Sequence, residues 1–256
     1  MYRPIFKTRG KGVPILSKGD IEIIGENFIR DYCPDALKNP QPIDVDGFIE
    51  RYLGLKLDYQ YLSSDGRYLG MMVFNTTDKV MIYDPERNIA DYLHADARTI
   101  IIDNNLLEEN QEHRYRYTMA HEGGHDIFHS GYYSYNPDQI SMFDKNEEVP
   151  LFQCRSISIK QGGSRMWTDI DWMEWQSNFF ASVLLMPAHA VKNLLENDLK
   201  KHDDIFLPLI LISKTAKTFN VSPEAAKYRL EQLKYIEPGL LSSDLSFLNS
   251  GIFLSV

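Results

Sequence analysis

Residues 115–129 read YRYTMAHEGGHDIFH, and much of the architecture can be inferred from them. His121 and His125 stand four positions apart, the spacing that puts two side chains on one face of a helix. Four apolar residues flank the pair, namely Met119, Ala120, Ile127 and Phe128. The pattern predicts a helix over about Glu112 to His129 that packs into a core. Histidines buried in such a core need polar partners.

The spacing of the two histidines suits a divalent metal ion. On one helical face their Cβ atoms lie roughly 6 Å apart, so both rings can reach an ion at the zinc–nitrogen distance of about 2.0–2.1 Å. An open coordination position then holds a water molecule whose pKa is lowered toward neutrality. Glu122, one residue further round the helix, can reach that water and accept its proton. This is the His-Glu-x-x-His arrangement of the zincins.

Two histidines and a water leave a four-coordinate ion one protein ligand short. His129 follows His125 by four residues, and a straight helix carries it about 12 Å along the axis from His121. We therefore expect His129 to lie beside a ligand or at the helix end rather than on the ion.

A glutamate from a second helix can supply the missing ligand. An apolar helix is predicted from about Asp171 to Met186, and Pro187 ends it. Glu174 and Asn178 stand four apart on this helix and share a face. Glu174 can complete the site, and Asn178 can then hydrogen-bond the outer nitrogen of a ligating histidine and fix its tautomer. The alternative is that Glu174 faces solvent.

The composition is that of an ordinary globular chain. Its 256 residues are 43% hydrophobic and 25% charged, enough for one large domain or two modest ones. Lys and Arg number 27 against 36 Asp and Glu, a net charge of −9, so the chain is a poor general binder of polyanions. Two cysteines, Cys33 and Cys154, allow no disulfide framework. Without a secretory signal or an apolar run long enough for a membrane span, we expect a cytoplasmic protein with no membrane partner.

The pattern of elements predicts an α+β fold. A small antiparallel sheet, built from strand-like segments at 57–62, 68–74, 80–83 and 99–102, packs against a mainly helical, zincin-like core with a C-terminal helical extension. Three regions are predicted. They are a flexible N-terminal arm over residues 1–16, a zincin-like metallopeptidase domain over 17–190, and a C-terminal helical region with a tail over 191–256.

Taken together, the two helical blocks resemble the ImmA/IrrE family of metallopeptidases. The first block is His-Glu-x-Gly-His at residues 121–125, and the second is EWQSNFFASVLLMP at residues 174–187. The similarity covers about residues 18 to 236, with further matches at Pro42–Val45, Phe219–Ser222 and Arg229–Leu230. Either block alone would be unspecific, but the pair is specific.

The resemblance implies a gluzincin-like core in which His121, His125 and Glu174 bind zinc and Glu122 is the general base. Ligand type alone leaves manganese possible as well. The family is known for regulatory proteolysis, notably of helix-turn-helix repressors encoded nearby. The resemblance therefore implies a zinc-dependent endopeptidase whose protein substrate is such a repressor.

Two residues depart from the family pattern. Gly123 stands where an apolar residue is usual, and Asn178 where aspartate is common. The adjacent glycines at 123 and 124 cost up to about 1 kcal/mol each in helix stability relative to alanine, and they either permit close packing or loosen the site. The departure at Gly123 leaves open the alternative of a non-catalytic metal-binding regulator. A separate alternative is a toxin–antitoxin component that acts by binding a protein encoded beside it.

The sequence leaves two further points open. Candidates for stabilising the oxyanion of the transition state are Tyr132, Tyr133, Tyr135, Arg165 and His189. A helix pair around Ser213 to Lys234 has the length of a helix-turn-helix, but the charges from Lys200 onward sum to only +1. We therefore expect packing or partner docking there rather than direct binding of nucleic acid.

Overall fold

The computed structural model describes residues 1–133, 152–155, 167–199, 206–239 and 245, and it confirms the α+β class. Most of the predicted C-terminal tail lies outside these residues. The chain divides into two compact units, one comprising Met1–Tyr2, Lys18–Asp44 and Ser182–Val256, and the other Arg3–Ser17 and Val45–Ala181. In this division the first long helix groups with the C-terminal helices. The three regions inferred from the sequence, 1–16, 17–190 and 191–256, stay a prediction.

Strands and helices are interspersed in the first part of the chain, and the described elements from residue 169 onward are helices. The strands are β1 (Thr8–Arg9), β2 (Val13–Pro14), β3 (Lys56–Gln60), β4 (Tyr68–Val73), β5 (Thr77–Asp84), β6 (Ile89–Ala95), β7 (Thr99–Asp103) and β8 (Phe152–Arg155). The helices are α1 (Lys18–Tyr32), α2 (Asp35–Lys38), α3 (Val45–Gly47), α4 (Glu112–Tyr133), α5 (Asp169–Leu185), α6 (Ala188–Leu195), α7 (Leu207–Phe219) and α8 (Pro223–Gln232).

The main sheet has four strands in the order β3-β7-β4-β8 and is mixed. Strand β4 pairs antiparallel with both neighbours, as predicted, but β3 runs parallel to β7, with Lys56 opposite Thr99. The expectation of purely antiparallel pairing is therefore wrong for β3. Among the described residues, β5 and β6 form a separate two-stranded sheet. Because β4, β5 and β6 all lie between β3 and β7 in sequence, the connection is long enough for β7 to run in the same direction as β3.

The N-terminal segment predicted as a flexible arm contains a small hairpin. Strands β1 and β2 pair antiparallel, with Arg9 opposite Val13, and the Val13 side chain is fully buried. Gly12 adopts a φ of +113°, which glycine tolerates better than any other residue. The hairpin is thus anchored through β2, although the segment is rich in charge and glycine.

A tight helical segment packs against the middle of α4. Helix α3 runs directly into a π-helical turn over Phe48–Tyr52, in which the Leu53 N–H donates to the Phe48 carbonyl at 2.9 Å. A Cβ atom added at Gly123 would lie 2.6 Å from Ile49 Cδ1. Gly123 therefore permits close packing, one of the two outcomes that its departure from the family pattern left open.

Helices α4 and α5 contact each other through a second glycine. A Cβ atom at Gly124 would lie 3.2 Å from the Ser177 Cα and 3.2 Å from a ring carbon of Phe180. The rings of Phe128 and Phe180 meet edge to face, with centroids 5.3 Å apart. Because the obstacle at Gly124 includes the backbone of α5, a side chain there would force the two helices apart.

A buried arginine on α8 links the helices of the unit that contains α1 and the C-terminal helices. Arg229 is fully buried, donates to the Met186 carbonyl at 2.8 Å, and pairs through Nη2 with Glu22 Oε2 of α1 at 2.9 Å. A buried guanidinium is costly unless all its hydrogens are used, so this bidentate pair ties α1 to the C-terminal helices. It is one of the contacts that join α1 to them.

Helices α7 and α8 form the predicted helix pair. Ser222 caps α8 by accepting from the Ala225 N–H, as expected, and Asn220 turns the chain with a left-handed φ of 52°. Two cations of α8, Lys227 and Arg229, are buried and face Glu231 and Glu22 respectively. Neither is therefore presented for contact with phosphate. Of the helices among the described residues, none combines the length and apolarity needed to cross a bilayer.

Replacing Gly124 with alanine will lower the free energy of unfolding, although alanine favours helix by about 1 kcal/mol. The added methyl group meets the Ser177 backbone, which cannot move without separating α4 from α5. The matched control is Gly131→Ala on the same helix, where a Cβ atom meets no described residue within 4 Å, and it will be stabilising. Denaturant unfolding of both variants measures the difference. A Gly124→Ala variant as stable as Gly131→Ala would contradict the close approach.

Candidate metal centre

Three side chains from two helices converge at one point. His121 and His125 of α4 are buried, and their Nε2 atoms lie 2.9 Å apart. Glu174 of α5 places its Oε2 3.5 Å from His121 Nε2. One donor atom from each of the three residues lies within 4.8 Å of the others. The structure therefore brings together two imidazole nitrogens and a carboxylate oxygen, the donor types typical of zinc.

Burial keeps both imidazoles uncharged. It lowers the pKa of His121 to about 4, an effect that the hydrogen bond to Asn178 only partly offsets. The pKa of His125 is lowered by burial and by the neighbouring imidazoles of His121 and His129. Near neutral pH each ring thus has one nitrogen with a free electron pair, which is the form that binds a metal.

Asn178 and Tyr117 orient the first histidine. Asn178 Oδ1 lies 3.1 Å from His121 Nδ1. The Tyr117 hydroxyl donates to the same oxygen at 3.2 Å and to the Asn178 carbonyl at 3.1 Å. With Oδ1 as the acceptor, His121 carries its proton on Nδ1 and presents Nε2 to the cluster. Sequence reasoning found Asn178 by its helical spacing, but it missed Tyr117, which stands four residues before His121 on α4.

His129 lies outside the donor cluster and contacts the second histidine. Its Nδ1 is 2.9 Å from His125 Nδ1, and its Nε2 is 3.0 Å from Gln176 Oε1. Burial lowers the pKa of His129 to about 3. Gln176 was not anticipated. A glutamine on an otherwise apolar helix is the signal that could have found it, because a buried amide needs partners.

Glu122 is fully buried beneath strand β4. A Cβ atom at Gly70 would lie 3.0 Å from Glu122 Oε1 and 2.6 Å from Thr118 Cγ2. Gly70 was also missed, although a glycine inside a strand pattern commonly marks a close approach. It leaves room for the Glu122 carboxylate between the strand and α4.

The residues considered for oxyanion stabilisation have different surroundings. Tyr133 is 6% exposed, and burial, Tyr132 and then the charge of Glu174 raise its pKa. It is therefore electrostatically coupled to the donor cluster. His189 belongs to the other unit and hydrogen-bonds Glu26 at 2.7 Å. Tyr135 and Arg165 lie outside the described residues.

Comparison with known families found a match over the part of the chain that contains α5. The family model of peptidase M78, described as the IrrE N-terminal-like domain, matches residues 160–231. The matched stretch includes Glu174 and Asn178. It begins at residue 160, after the His-Glu-x-x-His motif at residues 121–125, so the motif lies outside the match. No curated protein matches the chain. The family match confirms the predicted resemblance to ImmA/IrrE metallopeptidases and supports a metallopeptidase.

The metal-free protein will lose stability as the pH falls from about 6.5 toward 4. Unfolded histidine has a pKa near 6.5, whereas burial holds the pKa of His121 at about 4 and that of His129 at about 3. Between these values the unfolded state binds more protons than the folded state. The free energy of unfolding therefore increases as the pH rises from 4 to 6.5, and it decreases as the pH falls through the same window.

Denaturant unfolding of the metal-free protein at a series of pH values tests this dependence. The control is His94→Gln, which removes an exposed histidine whose pKa is raised by Asp78. That variant will keep the loss of stability toward acid pH. A stability that does not change between pH 6.5 and 4 would show that the three buried histidines are not held neutral.

Proposed function

We propose that this ImmA/IrrE-type metallopeptidase is a zinc-dependent endopeptidase that hydrolyses one peptide bond in a specific cytoplasmic protein. The observation that carries the proposal is the meeting of His121 Nε2, His125 Nε2 and the Glu174 carboxylate within 4.8 Å. Two neutral nitrogens 2.9 Å apart can share at most one proton, and a cation between them satisfies both electron pairs and the carboxylate at once.

The donor set fits a divalent ion held by His121, His125 and Glu174. Two nitrogens and one oxygen suit zinc, and manganese is compatible with the same ligands. When bound, the ion lowers the pKa of water and polarises the substrate carbonyl. The carboxylate of Glu174 is the more accessible donor, since its side chain is 29% exposed while that of His121 is 1% exposed. Substrate would approach from that side.

Glu122 is the residue proposed to move the proton. Its carboxylate lies on α4 one residue from His121 and is enclosed by Thr118 and Gly70. From there it accepts a proton from the attacking water and returns it to the nitrogen of the departing amine. The enclosure fixes the carboxylate in one place and shields its charge from bulk solvent, which strengthens its interaction with the reacting groups.

The substrate is proposed to be a helix-turn-helix repressor encoded near this protein. This part rests on the family resemblance and on the burial of Lys227 and Arg229, which favours a protein partner over nucleic acid for α8. Incubating the zinc-loaded enzyme with the helix-turn-helix protein encoded nearby, and identifying the products by mass spectrometry, tests it. An intact repressor beside cleaved peptides from other proteins would remove this substrate and keep the peptidase.

Glu174→Ala will weaken zinc binding by more than about 100-fold. Removing a ligand costs more than removing a hydrogen-bond partner of a ligand, which costs about 10- to 100-fold. The control is Asp169→Ala on the same helix, an exposed carboxylate paired with Arg9, and it will leave zinc affinity unchanged. Competition with a chromophoric chelator gives the affinities, and circular dichroism checks folding. Equal zinc affinity for both variants would exclude Glu174 as a ligand.

Glu122→Gln will retain zinc and lose cleavage by about 10²- to 10⁴-fold, the usual contribution of a general base. The change keeps the shape of the side chain and removes only its basicity. Zinc content and cleavage of a proteome-derived peptide library, read by mass spectrometry, are measured on the same sample. The control Glu109→Gln alters an exposed glutamate before α4 and will cleave like the parent.

The same pair of variants separates the catalytic proposal from a non-catalytic regulator. A Glu122→Gln protein that cleaves as fast as Glu109→Gln would remove Glu122 from the chemistry. If the variant lost cleavage in vitro but kept its biological activity, that activity would come from binding rather than from hydrolysis.

A further inference from the structure

We infer that Gln176 is a positioning residue that acts through His129 to fix the tautomer of His125, and that the N-terminal hairpin holds Gln176 in place. The inference deepens the proposed function and rests on it, because it assigns a role to residues that orient a proposed ligand. The four groups form one chain of hydrogen bonds, from the Pro14 carbonyl of β2 to the donor cluster.

The first step is the orientation of the Gln176 amide. Gln176 is 1% exposed, and its Nε2 lies 2.9 Å from the Pro14 carbonyl oxygen. A carbonyl can only accept, so the nitrogen of the amide must face Pro14 and the oxygen must face the other way. The hairpin thereby removes the ambiguity between the two ends of the amide.

The second step is the tautomer of His129. Gln176 Oε1 lies 3.0 Å from His129 Nε2 and can only accept, so the neutral ring carries its proton on Nε2. Its Nδ1 is then an acceptor. His129 is fully buried, so water does not compete for either nitrogen.

The third step transfers this constraint to the proposed ligand. His125 Nδ1 lies 2.9 Å from His129 Nδ1, and since the latter accepts, His125 must donate from Nδ1. The electron pair of His125 is therefore on Nε2, the atom that faces His121 Nε2 at 2.9 Å. The opposite tautomer would place a proton where the ion binds.

The two proposed histidine ligands are thus oriented by two amides of one helix. Asn178 acts on His121 directly, and Gln176 acts on His125 through His129. The two routes share no side chain. Loss of Gln176 should consequently disturb His125 and leave His121 in its tautomer.

The test combines tautomer and affinity measurements on Gln176→Met, which keeps the length and removes both hydrogen-bonding groups. In the metal-free parent at pH 7.5, ¹⁵N spectra of labelled histidine should show His129 protonated on Nε2, and His121 and His125 on Nδ1. In Gln176→Met, His125 and His129 should become mixtures while His121 is unchanged. Zinc affinity, measured by chelator competition, should fall about tenfold, at the lower end of the usual range for residues behind a ligand.

Three further variants distinguish positioning from a general packing defect. Ser177→Ala is the control, since Ser177 is the next buried polar residue on α5 and its hydroxyl has no hydrogen-bond partner among the described residues. It should keep parental zinc affinity and histidine spectra. Because His129 and Gln176 act in series, the double variant His129→Phe/Gln176→Met should bind zinc no more weakly than His129→Phe alone.

Parental spectra and affinity in Gln176→Met would overturn the inference, and so would additive losses in the double variant. Failure of the proposed function has a different signature, because the parent itself would then not bind zinc through His121, His125 and Glu174. If Gln176→Met does not fold, Gln176→Glu replaces it. That variant loses the donor to Pro14 but keeps an acceptor for His129, so His129 should stay protonated on Nε2 and His125 on Nδ1. Mixed tautomers of both rings in Gln176→Glu would overturn the inference.

Discussion

The close approach of α4 and α5 is the constraint on which the rest of the site depends. At Gly124 the helices come so near that an added Cβ atom would lie 3.2 Å from the Ser177 Cα. His121 and His125 flank Gly124 on one helix, and Glu174 and Asn178 flank Ser177 on the other. A larger residue at the contact would separate donors that must meet within a few ångströms. The absence of a side chain at one position thus sets the distances of the donor groups.

Close packing also fixes the protonation of the polar groups that it buries. In a neutral histidine one ring nitrogen donates a hydrogen bond and the other accepts one. A partner that fixes the protonation of one nitrogen therefore fixes that of the other. The amides on α5 provide these assignments, and the β1–β2 hairpin orients one of them. Pro14, near the start of the chain, thus helps to orient His125, which follows it by more than a hundred residues.

The sequence predicts the helices of this protein better than its sheet. Helices α4 and α5 begin within about two residues of their predicted positions, because apolar periodicity and Pro187 mark them locally. The parallel pairing of β3 with β7 could not be read locally, since it depends on β5 and β6 pairing with each other instead of with the main sheet. The convergence of His121, His125 and Glu174 could be predicted from helical spacing and family resemblance. Tyr117, Gly70 and Gln176 were missed. The glycine inside a strand and the glutamine on an apolar helix are local signals, but the contact partner of each of the three residues is distant in sequence.

The unequal accessibility of the donors has a consequence for the lifetime of a bound ion. The imidazoles of His121 and His125 are buried, whereas the Glu174 side chain is partly open to solvent. In the proposed site, a chelator would therefore reach a bound ion along the carboxylate side, and extraction would begin with detachment of Glu174. The rate of metal loss would then depend on how often the Glu174 side chain rotates away from the ion. A bound peptide lying over Glu174 would hinder this rotation and slow exchange of the ion.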